Sequence, residues 1–276
     1  MATALRSSES GIAVHPLSPV IGAEISGIDL RQPLAAEDVA RLRRALLDHN
    51  VIFFRDQPLD FEDMKRVGRA FGELHIHSGV AGLPDHPEIV RIHADGASKY
   101  VAGEDWHSDL TCDPVPPMGS LLCLHTVPEV GGDTAFANMV AAYEALSDRM
   151  KAHLDGLTAV HDGARVFAAF SPPDKTFPKS RHPVVRTHPE TRRKALFVNK
   201  QFTAHIESLP RDESEALLAY LHAHCAKPQF QVRFRWQKHS IAFWDNRAAQ
   251  HTAIWDYFPH IRSGYRVTIA GDGAPF

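Results

Sequence analysis

From Phe230 to Arg235 the chain alternates strictly, with Phe230, Val232 and Phe234 on one side and Gln231, Arg233 and Arg235 on the other. Only an extended backbone divides residues into two faces with a period of two, so this stretch predicts a strand with one buried and one wetted face. Two more apolar runs follow close behind, Ser240 to Trp244 and Tyr265 to Ala270. Upstream, Val51 to Phe54, Gly119 to Thr126 and Leu196 to Val198 read as strands, and Val14 to Leu30, punctuated by Gly22 and Gly27, as short strands. Helical spacing interrupts them. Ala36 to Asp48 sets Val39, Leu42 and Leu46 on one face, and Asp60 is placed to cap a helix carrying Phe61, Met64 and Phe71. Asn138 to Leu146 predicts a short helix, and Asp212 to Cys225 a longer one with Leu217, Leu218 and Leu221 inward. Lys175 to Pro183, rich in Pro, Lys and Ser, reads as an exposed mobile loop. Many short strands flanked by helices predict a mainly β fold, a sandwich or jelly roll with helical insertions.

With 276 residues, 44% of them hydrophobic, the chain can bury one full core, and β-rich chains of this size commonly stay single. One domain over 1–276 is expected, with 1–12 a loose tail. A formal charge of -3 and the absence of an uninterrupted Lys/Arg run argue against a nucleic-acid partner. No segment nears the roughly 18 apolar residues that span a bilayer. Met1 to Ser10 lacks the apolar core of a signal peptide. Cys112, Cys123 and Cys225 are odd in number and scattered, which fits a reducing cytoplasm.

The chemistry gathers around Trp106-His107-Ser108-Asp109. In a strand, residues two apart share a face, so His107 and Asp109 can reach one metal ion together. Alone, a His-x-Asp is common by chance and fits a polar loop beside a core strand better than a metal site. A second, distant imidazole would complete the facial triad of non-haem iron(II) oxygenases. His251, read as following the Ser240 to Trp244 strand, is the candidate. Arg262 lies 11 positions beyond it, far enough for the chain to turn and bring its guanidinium back to the same pocket. A guanidinium grips a carboxylate through two parallel hydrogen bonds. Gly131-Gly132-Asp133-Thr134 is a tight turn ending in a further hydroxyl donor, Thr134.

Taken in order, His107, Asp109, Thr134, His251 and Arg262 resemble the site of the taurine dioxygenase (TauD/TfdA) family of 2-oxoglutarate-dependent oxygenases, which includes aryloxyalkanoate dioxygenases and alkylsulfatases. The likeness runs from Ile21-Gly22-Ala23-Glu24-Ile25 to Gly271-Asp272. It takes in Phe71 to His77, Phe197-Val198-Asn199 and Trp244 to Arg247. The resemblance implies a double-stranded β-helix (jelly roll) with helical insertions. It implies iron(II) held by His107, Asp109 and His251, and the far carboxylate of 2-oxoglutarate held by Thr134 and Arg262. It also implies Arg266 facing an anionic group of the substrate, with His77, Leu110 and Phe202 lining the pocket. The co-substrates would be 2-oxoglutarate and oxygen, the co-products succinate and carbon dioxide, and the assembly a dimer or tetramer.

Val80 and Gly103 stand where taurine dioxygenases carry a tyrosine and an asparagine; both changes remove polar contacts, and Gly103 adds room. A small anion less polar than taurine is therefore expected: a sulfonate, an alkyl sulfate or an aryloxyalkanoate, with C–S or C–O cleavage after hydroxylation. Taurine itself is the alternative. A metal-dependent hydrolase on a jelly roll, or a non-catalytic ligand-binding relative, are the rivals from other classes. The hydrolase would turn over without oxygen or 2-oxoglutarate, and the binding relative would bind its ligand tightly and form no succinate. His222-Ala223-His224-Cys225 is read as a mixed helix end, because neighbouring helical residues point apart.

Overall fold

The computed structural model describes residues 11–276, so the expected loose tail falls, up to residue 10, outside the described residues. Among the described residues the strands are β1 (Ala13–Pro16), β2 (Ala23–Ser26), β3 (Val51–Phe54), β4 (Ile89–Ala94), β5 (Gly119–Thr126), β6 (Thr134–Asn138), β7 (Thr158–Asp162), β8 (Lys179–Pro183), β9 (Val185–Thr187), β10 (Lys194–Leu196), β11 (Thr203–Ile206), β12 (Gln231–Phe234), β13 (Ser240–Asp245), β14 (Ala249–Ala253) and β15 (Arg262–Ile269). The helices are α1 (Ala36–His49), α2 (Phe61–Arg69), α3 (Met139–Glu144), α4 (Asp148–Leu154), α5 (Ala164–Phe167) and α6 (Arg211–Cys225).

A seven-stranded sheet runs in the order β1-β2-β3-β13-β5-β15-β4, antiparallel throughout except for β2 beside β3. A three-stranded sheet, β12-β6-β14, and a second one, β11-β7-β8, are both antiparallel. The central strands of the large sheet are buried on both faces, and their residues divide by parity. Ile52, Phe54, Leu121, Cys123, Ile241, Phe243 and Val267 pack with Leu42 and Leu46 of α1 and Met64 and Val67 of α2. Their neighbours Phe53, Leu122, Ala242 and Trp244 pack the other way, against Phe136, Val232 and Phe234 of the three-stranded sheet. Phe53 stacks on Phe234 with ring centroids 3.9 Å apart. Between these two sheets the functional residues collect.

The helices obey local rules. Asp60 accepts from the Asp63 backbone N–H while the Asp63 side chain reaches back, a reciprocal cap for α2. α1 stops at Asn50, which turns left-handed (φ 61°) and returns its N–H to the Leu46 carbonyl. Three expectations need correcting. Phe71 lies beyond α2, which ends at Arg69, although it packs into the same core. Lys179–Pro183 is not loop but β8, paired with β7. It is an edge strand, where a terminal proline and exposed Lys and Arg are tolerated, so its composition resembles a loop. Of Leu196 to Val198 only Leu196 lies in a strand, although Phe197 and Val198 are fully buried.

Candidate active site

The expected strand through His107 and Asp109 is replaced by one bridge and a turn. His107 and His251 exchange both backbone hydrogen bonds, 3.0 and 2.8 Å, in an isolated antiparallel bridge. That pairing brings the two imidazole centroids to 4.1 Å. His251 lies inside β14 rather than after a strand. Beyond Asp109 the chain doubles back, with Leu110 in the left-handed region (φ 47°) and the Asp113 N–H on the Leu110 carbonyl. A leucine held in that conformation is strained, and such strain persists only where the surroundings fix it. Ligand atoms of His107, Asp109 and His251 lie within 4.8 Å of one another, all buried. Among the described residues this is the only group of three or more His, Cys, Asp or Glu so placed.

Neighbours fix two of these three side chains, His107 and Asp109. His107 Nδ1 lies 2.8 Å from the Asp105 carbonyl, which only an N–H can satisfy, so the Nε2 lone pair is free for a metal. Ser120 Oγ donates to Asp109 Oδ2 (2.7 Å) and Arg266 Nη1 to Oδ1 (2.8 Å). The Asp109 N–H donates to Asn246 Oδ1, itself held by Trp244 Nε1. Burial opposes ionisation of Asp109, but the Arg266 guanidinium beside it overcomes that cost and holds the carboxyl well below its ordinary range. Burial, reinforced by His107, keeps His251 well below the usual imidazole value, hence neutral. Its Nδ1 is buried without a hydrogen-bond partner. Two neutral imidazoles and one carboxylate, with an orphaned ring nitrogen among them, suit a divalent cation that leaves positions open for other ligands.

β15 supplies the second half. Arg262 and Arg266, four apart, share the face that looks toward the three-stranded sheet, opposite Val267. Arg262 is 4% exposed. Its Nε donates to the Gly132 carbonyl (2.8 Å) and its Nη2 to Thr134 Oγ1 (3.1 Å). Trp236 Nε1 also donates to Thr134 Oγ1 (2.9 Å), so the hydroxyl keeps its own proton for another acceptor. Arg262 Nη1 has no partner among the described residues. Burial lowers Arg262 to about 10, which leaves it cationic at neutral pH. Gly131 and Gly132 (φ 83° and 72°) form the turn that presents Thr134 at the start of β6.

Every site residue singled out from the sequence lines one cavity of about 810 Å³: His77, Leu110, Phe202 and Arg266 alongside His107, Asp109, His251, Thr134 and Arg262. His77 Nδ1 accepts from the N–H groups of Gly79 and Val80, and burial lowers the ring to about 3, so a neutral His77 offers its Nε2–H. Leu110 and Phe202 form an apolar wall with Phe167, which the sequence reading missed. Arg266 rests on Asp109, and its Nε is buried and unpartnered. The room assigned to Gly103 is largely taken by His107: a Cβ there would lie 2.9 Å from the ring's Cε1. Ser120 and Asp105 carried no sequence signal, whereas Asn246 sits inside the quoted Trp244 to Arg247 motif. In that motif Asp245 and Arg247 pair at 2.7 Å, joined by His188 and Asp272, as a structural brace. His224 Nε2 donates to the Ala142 carbonyl (2.8 Å) and joins no metal group among the described residues.

The family model described as "Taurine catabolism dioxygenase TauD, TfdA family" matches residues 13–268. An alpha-ketoglutarate-dependent sulfate ester dioxygenase from Pseudomonas putida is 36% identical over 273 residues, covering 94% of this chain and 89% of that protein. An alpha-ketoglutarate-dependent 2,4-dichlorophenoxyacetate dioxygenase from Cupriavidus pinatubonensis is 31% identical, covering 87% and 91%. The crystal structure of a taurine dioxygenase from Burkholderia xenovorans superposes with a TM-score of 0.84 at 41% identity, covering 96% of this chain and 90% of that one. Among the described residues no helix is long and apolar enough to cross a membrane.

Proposed function

The chain belongs to the TauD, TfdA family of 2-oxoglutarate-dependent dioxygenases, and from that premise we propose that it uses iron(II) to oxidise a small, weakly polar anion. The observation that carries this reading is the shared cavity. The His107–Asp109–His251 group and the Arg262–Thr134 carboxylate grip open onto the same space. A hydrolase needs a metal centre but no such grip. We read the large sheet and the β12-β6-β14 sheet, packed through Phe53 and Phe234, as the two walls of a double-stranded β-helix.

In this reading His107, Asp109 and His251 hold the metal. Arg262 Nη1 and the Thr134 hydroxyl receive the distal carboxylate of 2-oxoglutarate. Iron(II), with 2-oxoglutarate and molecular oxygen as co-substrates, would supply oxidative decarboxylation to succinate and carbon dioxide, one oxygen atom entering succinate and the other hydroxylating a substrate C–H bond. The residues do the rest. The Asp105 carbonyl holds the His107 tautomer, and Ser120 and Asn246 hold Asp109 in place. Arg266, with Nε unpartnered, and neutral His77 offer N–H groups to the substrate's anionic group. Leu110, Phe167 and Phe202 exclude water from its apolar part. Hydroxylation of a carbon bearing a sulfate, sulfonate or aryloxy group gives an adduct that collapses with cleavage.

The substrate class follows from what the walls lack. Val80 and Gly103 offer no side-chain partner to an amino group, and a site without such partners discriminates poorly for one. A sulfate ester, a sulfonate without an amine or an aryloxyalkanoate therefore suits this cavity better than taurine. The test is 2-oxoglutarate consumption against hexyl sulfate, hexanesulfonate, 2,4-dichlorophenoxyacetate and taurine. One of the first three should give the highest kcat/KM; a clear preference for taurine would refute the assignment.

A further inference from the structure

Beyond the metal and co-substrate groups, the structure assigns to Asp113 the role of positioning residue for the substrate wall. Asp113 closes the turn that begins at the metal ligand Asp109, and it is 5% exposed. Its carboxylate reaches away from the metal to the segment that carries His77. Ser78 Oγ donates to Oδ1 at 2.8 Å. His75 Nε2 lies 3.2 Å from Oδ2, in contact but outside hydrogen-bond geometry. The Asp113 carbonyl meets His182 Nε2 of β8 at 3.0 Å. One buried residue thus touches the metal-bearing turn, the His77 segment and the strand that follows the 171–178 loop.

The segment needs such an anchor. Its near end is pinned by His75 N–H on the Thr268 carbonyl, and its far end by Leu83 N–H on Ile89. Between them, residues 76–82 make no backbone–backbone hydrogen bond among the described residues. They are held by side chains: Ser78 on Asp113, Lys175 Nζ on the Gly79 carbonyl (3.4 Å), and Gly79 packed beneath the Phe167 ring. Within the segment, the Gly79 and Val80 N–H groups set the His77 ring. Moving Ser78 therefore moves His77 and Val80, two lining residues of the cavity, while Asp109 stays braced by Ser120 and Asn246 and His107 by the Asp105 carbonyl. Asp113 sets the distance between the substrate wall and the metal, and this consequence for the substrate rests on the function proposed above.

The test compares wild type, Asp113→Asn and Ser78→Ala as full-length protein with Mn(II) and 2-oxoglutarate bound. Hydrogen–deuterium exchange is read in peptides covering 72–83 and, as a reference, 245–253. Both variants should exchange roughly fivefold faster or more in 72–83, the loss expected when a buried bond is broken, with the reference unchanged. The KM for hexyl sulfate should rise by a similar factor while the KM for 2-oxoglutarate holds. Wild-type exchange in 72–83 in both variants would overturn the assignment. So would a fall in 2-oxoglutarate affinity equal to that for hexyl sulfate, the mark of general damage. The exchange arm needs no organic substrate, so it is decided even if the substrate class above is wrong.

Discussion

Gly103 makes room for the His107 ring through the atom it lacks. Its φ of 81° is one that side chains disfavour, and a Cβ would stand 2.9 Å from His107 Cε1. Its carbonyl accepts the Ala253 N–H, which ties it to the strand of His251. Gly103→Ala must therefore shift the backbone or rotate the His107 ring off its Asp105 bond. Loss of supporting contacts around metal ligands costs about ten- to hundredfold in affinity, so Mn(II) binding to Gly103→Ala should weaken by that order in a folded protein. Calorimetric titration reads it directly, and wild-type affinity would show that the ring yields freely. This residue also marks a limit of sequence reading. His107, Asp109, Thr134, His251 and Arg262 were legible because their chemistry is rare and ordered. A glycine read as empty space is legible only once its neighbour is known. Ser120 was invisible for a related reason: it reaches Asp109 by lying on β5, and no spacing along the chain encodes that approach.

Among elements, legibility followed amphipathicity. β12, β13 and α6 stood out because one face is wet or the apolar run is long, and the Asp60 cap fixed the start of α2. β6 and β14 did not, since Thr-Ala-Phe-Ala-Asn and Ala-Gln-His-Thr-Ala have no period and owe their state to the strands beside them. Yet these two carry Thr134 and His251. The β11-β7-β8 sheet was equally silent, and it holds an acid-sensitive group. His161 of β7 bonds Thr111 Oγ1 at 2.9 Å, its Nε2 is buried without a partner, and burial lowers the ring to about 3. The unfolded chain takes up a proton near the ordinary value of about 6.5 that the folded state refuses until about 3. Stability is thus lost as pH falls through that window. In urea unfolding between about pH 6 and 4, His161→Gln should flatten the pH dependence by up to about one proton relative to wild type. An unchanged slope would mean that the folded state accepts the proton.

At the scale of the whole molecule, the large sheet is buried on both faces: helices cover one and the three-stranded sheet covers the other, with the cavity between the sheets. This layering was foreseeable from strand content. The order β3-β13-β5-β15 was not, because it joins strands far apart in sequence. That order sets Arg262 and Arg266 of β15 two strands from Trp244 of β13 and across from Thr134 and His251. In the function proposed above, this assembly couples oxygen consumption to 2-oxoglutarate at the His107–Asp109–His251 group. Succinate measured with iron(II), 2-oxoglutarate and hexyl sulfate, in air and under nitrogen, for wild type and His107→Ala, tests it most directly. Succinate should form only from the wild type in air. Succinate from His107→Ala at the wild-type rate, or from wild type without oxygen, would contradict it.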